Sequence, residues 1–164
     1  MNAAHQSSFT DQDAAAPDVA GAAPMRWIGF ELAGQRYAVD LGQVREIVRP
    51  PEITPVPGAA GDVLGVISLR GGILGVLDGC RRLGLATECP ATADVRLVVF
   101  ALESGPVALR VDAIGDVIEA PRATLQAPPA GRSVRADDPV SAVLTDARGF
   151  VAVLDAARLC RLQH

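Results

Sequence analysis

The fold is decided by one stretch near the middle of the chain, Gly65-Val66-Ile67-Ser68-Leu69-Arg70-Gly71-Gly72-Ile73-Leu74-Gly75-Val76-Leu77-Asp78. Its two apolar runs, residues 64–70 and 73–78, flank a Gly-Gly pair, which is the usual signal of a β-hairpin. The second run ends in Val-Leu-Asp, and this aspartate is well placed to cap a short helix over residues 79–83. The stretch therefore predicts two paired strands followed by a capped helix.

The same order of elements recurs at the end of the chain. Runs 140–145 and 150–155 flank a turn at 146–149, and the second run again ends in Val-Leu-Asp. A short helix over residues 156–162 is expected after it. This match indicates an internal duplication.

Two further hairpins precede the two copies of this unit. They are predicted from runs 27–32 with 36–40 and 95–103 with 106–112. Each ends in aspartate and is followed by an apolar-spaced segment, residues 41–47 in one copy and 113–118 in the other. The sequence therefore predicts an all-β fold with short helices, built as two similar lobes.

Length and composition indicate one folded domain preceded by a tail. The chain has 164 residues, of which 49% are hydrophobic, enough for one core. Residues 1–24 have neither the basic run nor the apolar run of a signal peptide and are predicted to be a disordered tail of a cytoplasmic protein. The domain then spans residues 25–162, with intertwined lobes joined near 88–94. No apolar run reaches the ~20 residues of a membrane helix.

The residues that are missing exclude several classes of function. The only histidines are His5 in the tail and His164 at the last position, and there is no lysine. Histidine catalysis, phosphotransfer, P-loops and Schiff bases are thereby excluded. Cys80, Cys89 and Cys160 lack a C-x-x-C spacing, which favours unpaired thiols over a disulfide or zinc site. Because the net charge is −4, we expect protein partners rather than nucleic acid, with no cofactor and no metal.

Some residues remain open to two interpretations. Asp78, Asp112 and Asp155 at strand ends could serve a small-barrel enzyme or a ligand-binding module, but capping positions explain them without catalysis. Arg70, at the mouth of the glycine turn, is either a solvated arginine or a recognition residue that makes bidentate contacts with a partner.

The central stretch resembles the signature of the CheW family of chemotaxis coupling proteins. That signature is a Gly-Val-x-Asn-Leu-Arg-Gly strand and turn, followed by a strand ending in Pro-hydrophobic-x-Asp-Leu. Residues 27–47 are also similar to the opening strands and first helix of the family, and the order of later elements fits through about Leu162. The resemblance implies two SH3-like five-stranded β-barrels packed over a shared core.

The resemblance also implies a function and a set of binding residues. Family members are non-enzymatic adaptors that bind the regulatory domain of a CheA-type histidine kinase and the cytoplasmic tip of methyl-accepting receptors, in arrays at the membrane. Gly65, Leu69 and Arg70 would then lie at the receptor contact, and Val44 and Glu46 near the kinase contact. For Val44 a core position is the alternative, since residues 41, 44 and 47 have helical spacing. Glu46 is expected to be exposed.

The sequence departs from the family pattern at four positions. Ser68 replaces the usual Asn, Gly75 the usual Pro, and Gly79 with Cys80 the common Leu-Arg pair. Because glycine loosens the backbone and removes an apolar contact, these departures predict a looser turn. They also leave open a related pathway of surface attachment, second-messenger synthesis or twitching in place of flagellar chemotaxis.

Overall fold

The computed structural model describes residues 24–85, 91–129 and 138–161. In these ranges the strands are β1 (Met25–Leu32), β2 (Gln35–Asp40), β3 (Val44–Val48), β4 (Val63–Leu69), β5 (Gly72–Asp78), β6 (Arg96–Leu102), β7 (Gly105–Val111), β8 (Ala113–Ala120), β9 (Val140–Asp146) and β10 (Gly149–Leu154). The helices are α1 (Gly79–Arg82) and α2 (Ala156–Leu159), and 3₁₀ turns lie at Leu41–Gln43 and Arg122–Thr124. None of these helices is long and apolar enough to cross a membrane.

The strands form two five-stranded sheets, which confirms the predicted all-β fold with two lobes. The first lobe has the order β8-β1-β2-β10-β9, and the second has the order β3-β6-β7-β5-β4. Neighbouring strands are antiparallel except for β2 with β10 and β5 with β7, which are parallel. The second order follows from the first when each strand is replaced by its counterpart in the other repeat, so the architecture reflects the duplication seen in the sequence.

The two repeats exchange strands between the lobes. One repeat contains β1 to β5 with α1, and the other contains β6 to β10 with α2. Each lobe takes two strands from one repeat and three from the other. The chain therefore passes between lobes at residues 41–43, after β2, and at Asp112, between β7 and β8.

This exchange corrects the predicted position of the join. Segment 88–94 separates the two repeats, but β5 before it and β6 after it both belong to the second lobe. The segment is therefore not a boundary between lobes, and its residues 88–90 lie outside the described ranges. Sequence similarity locates the repeats but not the lobes, because pairing between distant strands decides which strands share a sheet.

The first helix implied by the family resemblance is reduced to a single turn in the apolar-spaced segment 41–47. Only Leu41–Gln43 is helical, as a 3₁₀ turn in which the Gly42 backbone N–H donates to the Asp40 carboxylate at 2.9 Å. The following residues form β3, which pairs antiparallel with β6. Three of the five residues of β3 are β-branched, and β-branched side chains favour extended backbone. Apolar spacing alone could not separate a helix from a short turn and strand.

The predicted helix caps are confirmed. The Asp78 carboxylate accepts hydrogen bonds from the backbone N–H groups of Cys80 and Arg81, at 2.9 and 3.2 Å. The Asp155 carboxylate accepts one from the Arg158 N–H at 3.1 Å. Because these groups are the orphan donors of a first helical turn, the two aspartates start α1 and α2. Both helices are shorter than predicted, and Leu162 lies outside the described ranges.

The largest apolar cluster contains residues from both lobes. Phe30 and Tyr37 of the first lobe are buried in it with Phe100 and Leu109 of the second. Smaller clusters lie within each lobe, one around Trp27 and the other around Ile67. The lobes therefore pack over a shared core.

The β1–β2 turn carries a local strain that a substitution can relieve. Ala33 and Gly34 have φ values of 51° and 77°, the pattern of a type I′ turn. Because a side chain at positive φ costs about 1–2 kcal/mol, Ala33→Gly is expected to stabilise the fold by about 1 kcal/mol. Urea unfolding would measure this. Gly34→Ala is the control and should destabilise, so a loss of stability in Ala33→Gly would contradict the argument.

Candidate functional site

Arg70 lies at the tip of the β4–β5 hairpin. Its φ is 50° and that of Gly71 is 80°, so the turn has left-handed backbone at both central positions. Arginine is an unusual residue at the first of these positions, where asparagine or glycine is favoured. The side chain is 67% exposed. The hairpin therefore presents a guanidinium group to solvent at a conformational cost.

Arg70 contacts Glu46, so the predicted receptor contact and the predicted kinase contact meet. The Arg70 Nε donates to both Glu46 carboxylate oxygens, at 2.9 and 3.1 Å. This hydrogen bond lowers the pKa of Glu46 and raises that of Arg70. The Glu46 side chain is only 16% exposed, which corrects the expectation that it is freely exposed. The correction follows from the contact, because the Arg70 side chain covers the carboxylate.

Apolar side chains lie beside this ion pair. A small depression of about 90 Å³ is lined by both members of the pair and by Arg45, Leu69 and Ile73, among others. Ile73 is 78% exposed, an unusual state for an isoleucine. We call the surface formed by Arg45, Glu46, Leu69, Arg70 and Ile73 the Arg70 surface. It combines charge, an exposed apolar side chain and a fixed hairpin, as protein-binding sites do.

The other two predicted contact residues are less exposed than Arg70, since Val44 is half-buried and Gly65 is buried. Val44 is half-buried and packs against the shared core, opposite Phe100 in the β3–β6 pair. Gly65 is buried, and a Cβ atom there would lie 2.1 Å from the Thr54 carbonyl oxygen. Thr54 is held by two backbone hydrogen bonds with Val66, each 2.9 Å long. Gly65 therefore lets the proline-rich segment lie against β4, and any effect on binding would be indirect.

The departures from the family pattern do not loosen the region around Gly79. A Cβ atom on Gly79 would lie 2.7 Å from the Arg110 carbonyl oxygen and 2.8 Å from Leu32 Cδ2. Gly79 and Cys80 are both buried. The expected loss of packing is therefore wrong here, because Leu32 fills the space that a side chain would take. Gly75 does face open space and Ser68 is exposed.

The strand-end carboxylates have structural partners. Asp78 and Asp155 cap the two helices, and Asp112 accepts a hydrogen bond from the Ala33 N–H at 2.8 Å. Cys80 and Cys160 are buried thiols outside any disulfide, while Cys89 is outside the described ranges. Burial raises the pKa of the Cys160 thiol to about 12. These roles do not favour the enzyme or ligand-binding alternative.

A groove between the first lobe and the segment that follows α1 has no counterpart among the features predicted from the sequence. Its volume is about 810 Å³, and Tyr37, Leu85 and Phe150 contribute to its lining. Phe150 is 73% exposed and follows the β9–β10 turn as Ile73 follows the β4–β5 turn. The duplication could have identified this position, because the two residues are equivalent in the repeats. The groove itself depends on distant elements and has no local signal.

The Arg36–Asp146 ion pair beside this groove predicts a loss of stability in acid. Arg36 donates two hydrogen bonds to the Asp146 carboxylate, which lowers its pKa from 3.8 to about 2. The carboxylate therefore binds protons more weakly in the folded state, and its stabilising effect is complete above pH 4 and lost as pH falls through 2. We expect urea-unfolding free energies to decrease across this window.

The Asp146→Asn variant tests this assignment. It should be less stable than the wild type at neutral pH and should show a smaller decrease between pH 4 and pH 2. Glu119→Gln is the matched control, because Glu119 forms an exposed pair with Arg26, and such pairs contribute little. An unchanged acid profile in Asp146→Asn would exclude the pair as the cause.

Comparisons with known proteins agree with this architecture. The CheW-like domain profile matches residues 26–164. The chain is 38% identical over 91 residues to "Chemotaxis protein CheW" of Rhizobium meliloti (strain 1021), which covers 56% of this chain and 58% of that protein. It is 29% identical over 131 residues to the protein of the same name from Bacillus subtilis (strain 168), covering 80% and 83%.

A solved structure supports the fold independently. The scaffolding protein TtCheW from Thermoanaerobacter tengcongensis superposes with a TM-score of 0.76 at 24% identity, over 85% of this chain and 90% of that one. The aligned part thus spans little more than half of the R. meliloti relative and most of the other two proteins. Since the family profile covers nearly all of the residues that form the two lobes, the chain belongs to the CheW-like domain family.

Proposed function

We propose that the chain is a non-enzymatic scaffolding adaptor that couples a methyl-accepting chemoreceptor to the regulatory domain of a CheA-type histidine kinase. Membership of the CheW-like family supports this function. The observation that carries it is the Arg70 surface, where the exposed Arg70, paired with a mostly covered Glu46, lies beside an exposed isoleucine. The adaptor would act at membrane receptor arrays, where the cytoplasmic tips of such receptors are found.

The Arg70 surface has the physical properties of a recognition site. The hydrogen bonds to Glu46 restrict the Arg70 side chain before a partner arrives, so less conformational entropy is lost on binding. The remaining guanidinium N–H groups can donate to a carboxylate or to backbone carbonyls. Ile73 supplies apolar area beside this charge. We place the receptor contact here, with Leu69 at its edge.

The contact between Arg70 and Glu46 suggests how two partners could influence each other. If the receptor binds Arg70 and the kinase binds near Val44 and Glu46, each partner changes the surroundings of a residue that serves the other. Coupling between sites requires such a difference in free energy between bound states. The adaptor would then modulate the kinase without chemistry of its own.

A tagged full-length chain tests the function directly. Purification from its native cells, with mass spectrometry of bound proteins, should recover a histidine kinase and a methyl-accepting receptor. Their identity would also distinguish flagellar chemotaxis from a surface-attachment, second-messenger or twitching pathway. Recovery of neither partner would contradict the adaptor function.

Ile73→Asp is expected to weaken receptor binding about 10-fold, because it places a charge in an apolar contact. Phe150→Asp is the matched control, since Phe150 is equally exposed and occupies the equivalent position in the other lobe. Both variants should keep wild-type melting temperatures, and titration calorimetry with a receptor cytoplasmic fragment would measure affinity. Equal effects of the two substitutions would remove Ile73 from the proposed receptor contact.

A further inference from the structure

The lobes are joined by two short crossings of the chain. The first comprises residues 41–43 between β2 and β3, and the second is Asp112 alone between β7 and β8. The strand after each crossing pairs with a strand of the other repeat. These pairs are β3 with β6 and β8 with β1. Because the lobes are linked at these two points, the simplest relative movement is a rotation of one lobe against the other. The axis of that rotation would pass through both crossings.

Hydrogen bonds fix the second crossing. The Asp112 N–H donates to the Glu31 carbonyl at 3.0 Å, and its carboxylate accepts from the Ala33 N–H at 2.8 Å. Asp112 connects to β7 of the second lobe, whereas Glu31 and Ala33 belong to the β1–β2 hairpin of the first. The crossing therefore has little freedom to bend.

Arg82 of α1 links the ends of the two repeats. Its Nε donates to the Leu159 carbonyl at 2.6 Å, and its guanidinium also donates to the Arg161 carbonyl. The Arg82 guanidinium also donates to the carboxylate of Asp62, the residue before β4, at 2.7 Å. The helix α1 follows β5 of the second lobe, whereas α2 follows β10 of the first lobe and packs against β6 of the second. Arg82 therefore ties the chain that leaves the first lobe to the second lobe. Charged donors make the stronger class of hydrogen bond.

The shared core opposes separation as well. Opening the lobes would expose aromatic side chains from both, including Phe30 and Phe100, which are at most 1% exposed. Exposure of such side chains to water is unfavourable in proportion to their area. The core, the crossings and Arg82 thus restrain the same movement.

We infer that the two lobes move as one rigid body and that Arg82 is the positioning residue that clamps their ends together. If the proposed adaptor function holds, a signal passes from receptor to kinase when the whole adaptor is displaced. The two lobes do not open relative to each other in this process. The rigidity itself rests on the contacts within the chain.

Distance measurements between spin labels test the rigid body. Ala101 on β6 and Thr145 on β9 are exposed and lie in different lobes, and neither is one of the five residues that define the Arg70 surface. Labels at Ala101→Cys and Thr145→Cys, with Cys89→Ser, leave the buried native thiols unlabelled. We expect one narrow distance distribution, unchanged when kinase or receptor fragments bind. Two populations, or a shift on binding, would overturn the inference. Because the distribution is measured first without partners, a failure to bind them tests only the proposed function.

Amide hydrogen exchange in full-length Arg82→Gln tests the clamp. The N–H groups of Leu159 and Cys160 donate within α2, and we expect their exchange to accelerate by roughly 10- to 100-fold, the effect of losing charged hydrogen bonds. Arg81→Gln is the control, because Arg81 lies on the same helix and donates to the Gly61 carbonyl within the second lobe. Equal exchange at Leu159 and Cys160 in the two variants would exclude Arg82 as the clamp.

Discussion

Gly65→Ala is expected to destabilise the fold by about 2–6 kcal/mol, the sum of about 1–3 kcal/mol for backbone strain and about 1–3 kcal/mol for overpacking. The φ of Gly65 is 147°, a conformation that side chains rarely adopt, and its Cβ atom would lie 2.1 Å from the Thr54 carbonyl oxygen. Relief of this clash would move the segment that pairs with Val66. A loss of this size is a large part of the 5–15 kcal/mol typical of small domains.

Gly75→Ala is the matched control for this prediction. Gly75 lies on β5, the partner strand of β4, and a Cβ atom there meets nothing within 4 Å. We expect its stability to change by no more than about 0.5 kcal/mol. Urea unfolding of both variants would measure the difference, and similar midpoints would contradict the steric argument. Gly65→Ala should also lose partner binding, but only in proportion to its loss of folded protein.

The elements that sequence could predict are those with local signals. The hairpin turn at Gly71, the caps at Asp78 and Asp155 and the duplication around Val-Leu-Asp all depend on neighbouring residues. The helix implied near residues 41–47 was not found, because a turn followed by a strand can show the same apolar spacing as a helix. The exchange of strands between lobes had no local signal at all, since it depends on which distant strands pair.

The candidate site was predictable only in part for a similar reason. Resemblance to the family named Arg70 and Glu46 separately, for two different partners. Their contact joins residues 24 positions apart, and no spacing rule predicts it. Gly79 shows the opposite error, because a small residue was interpreted as lost packing where Leu32 in fact fills the space. Both outcomes depend on long-range packing.

Arg70→Glu is expected to weaken receptor binding about 30-fold or more, the effect of a binding hot spot replaced by a residue of opposite charge. The substitution removes the donor that a partner would recognise and places two carboxylates at the former ion pair. Residue 70 has a positive φ, and arginine and glutamate both carry a Cβ atom that makes this backbone conformation costly. The substitution should therefore change the strain in the turn very little. Titration of a receptor cytoplasmic fragment into each variant would measure affinity.

A second substitution separates recognition from folding. Glu46→Arg combined with Arg70→Glu restores an ion pair of reversed polarity, so we expect wild-type stability to return while receptor affinity stays low. Arg26→Glu controls for surface charge, because Arg26 is 64% exposed, pairs with Glu119 and lies in the first lobe. If the double variant recovered receptor binding together with stability, Arg70 would serve only to hold Glu46 in place. Persistent loss of binding in a stable double variant would assign direct recognition to the Arg70 guanidinium.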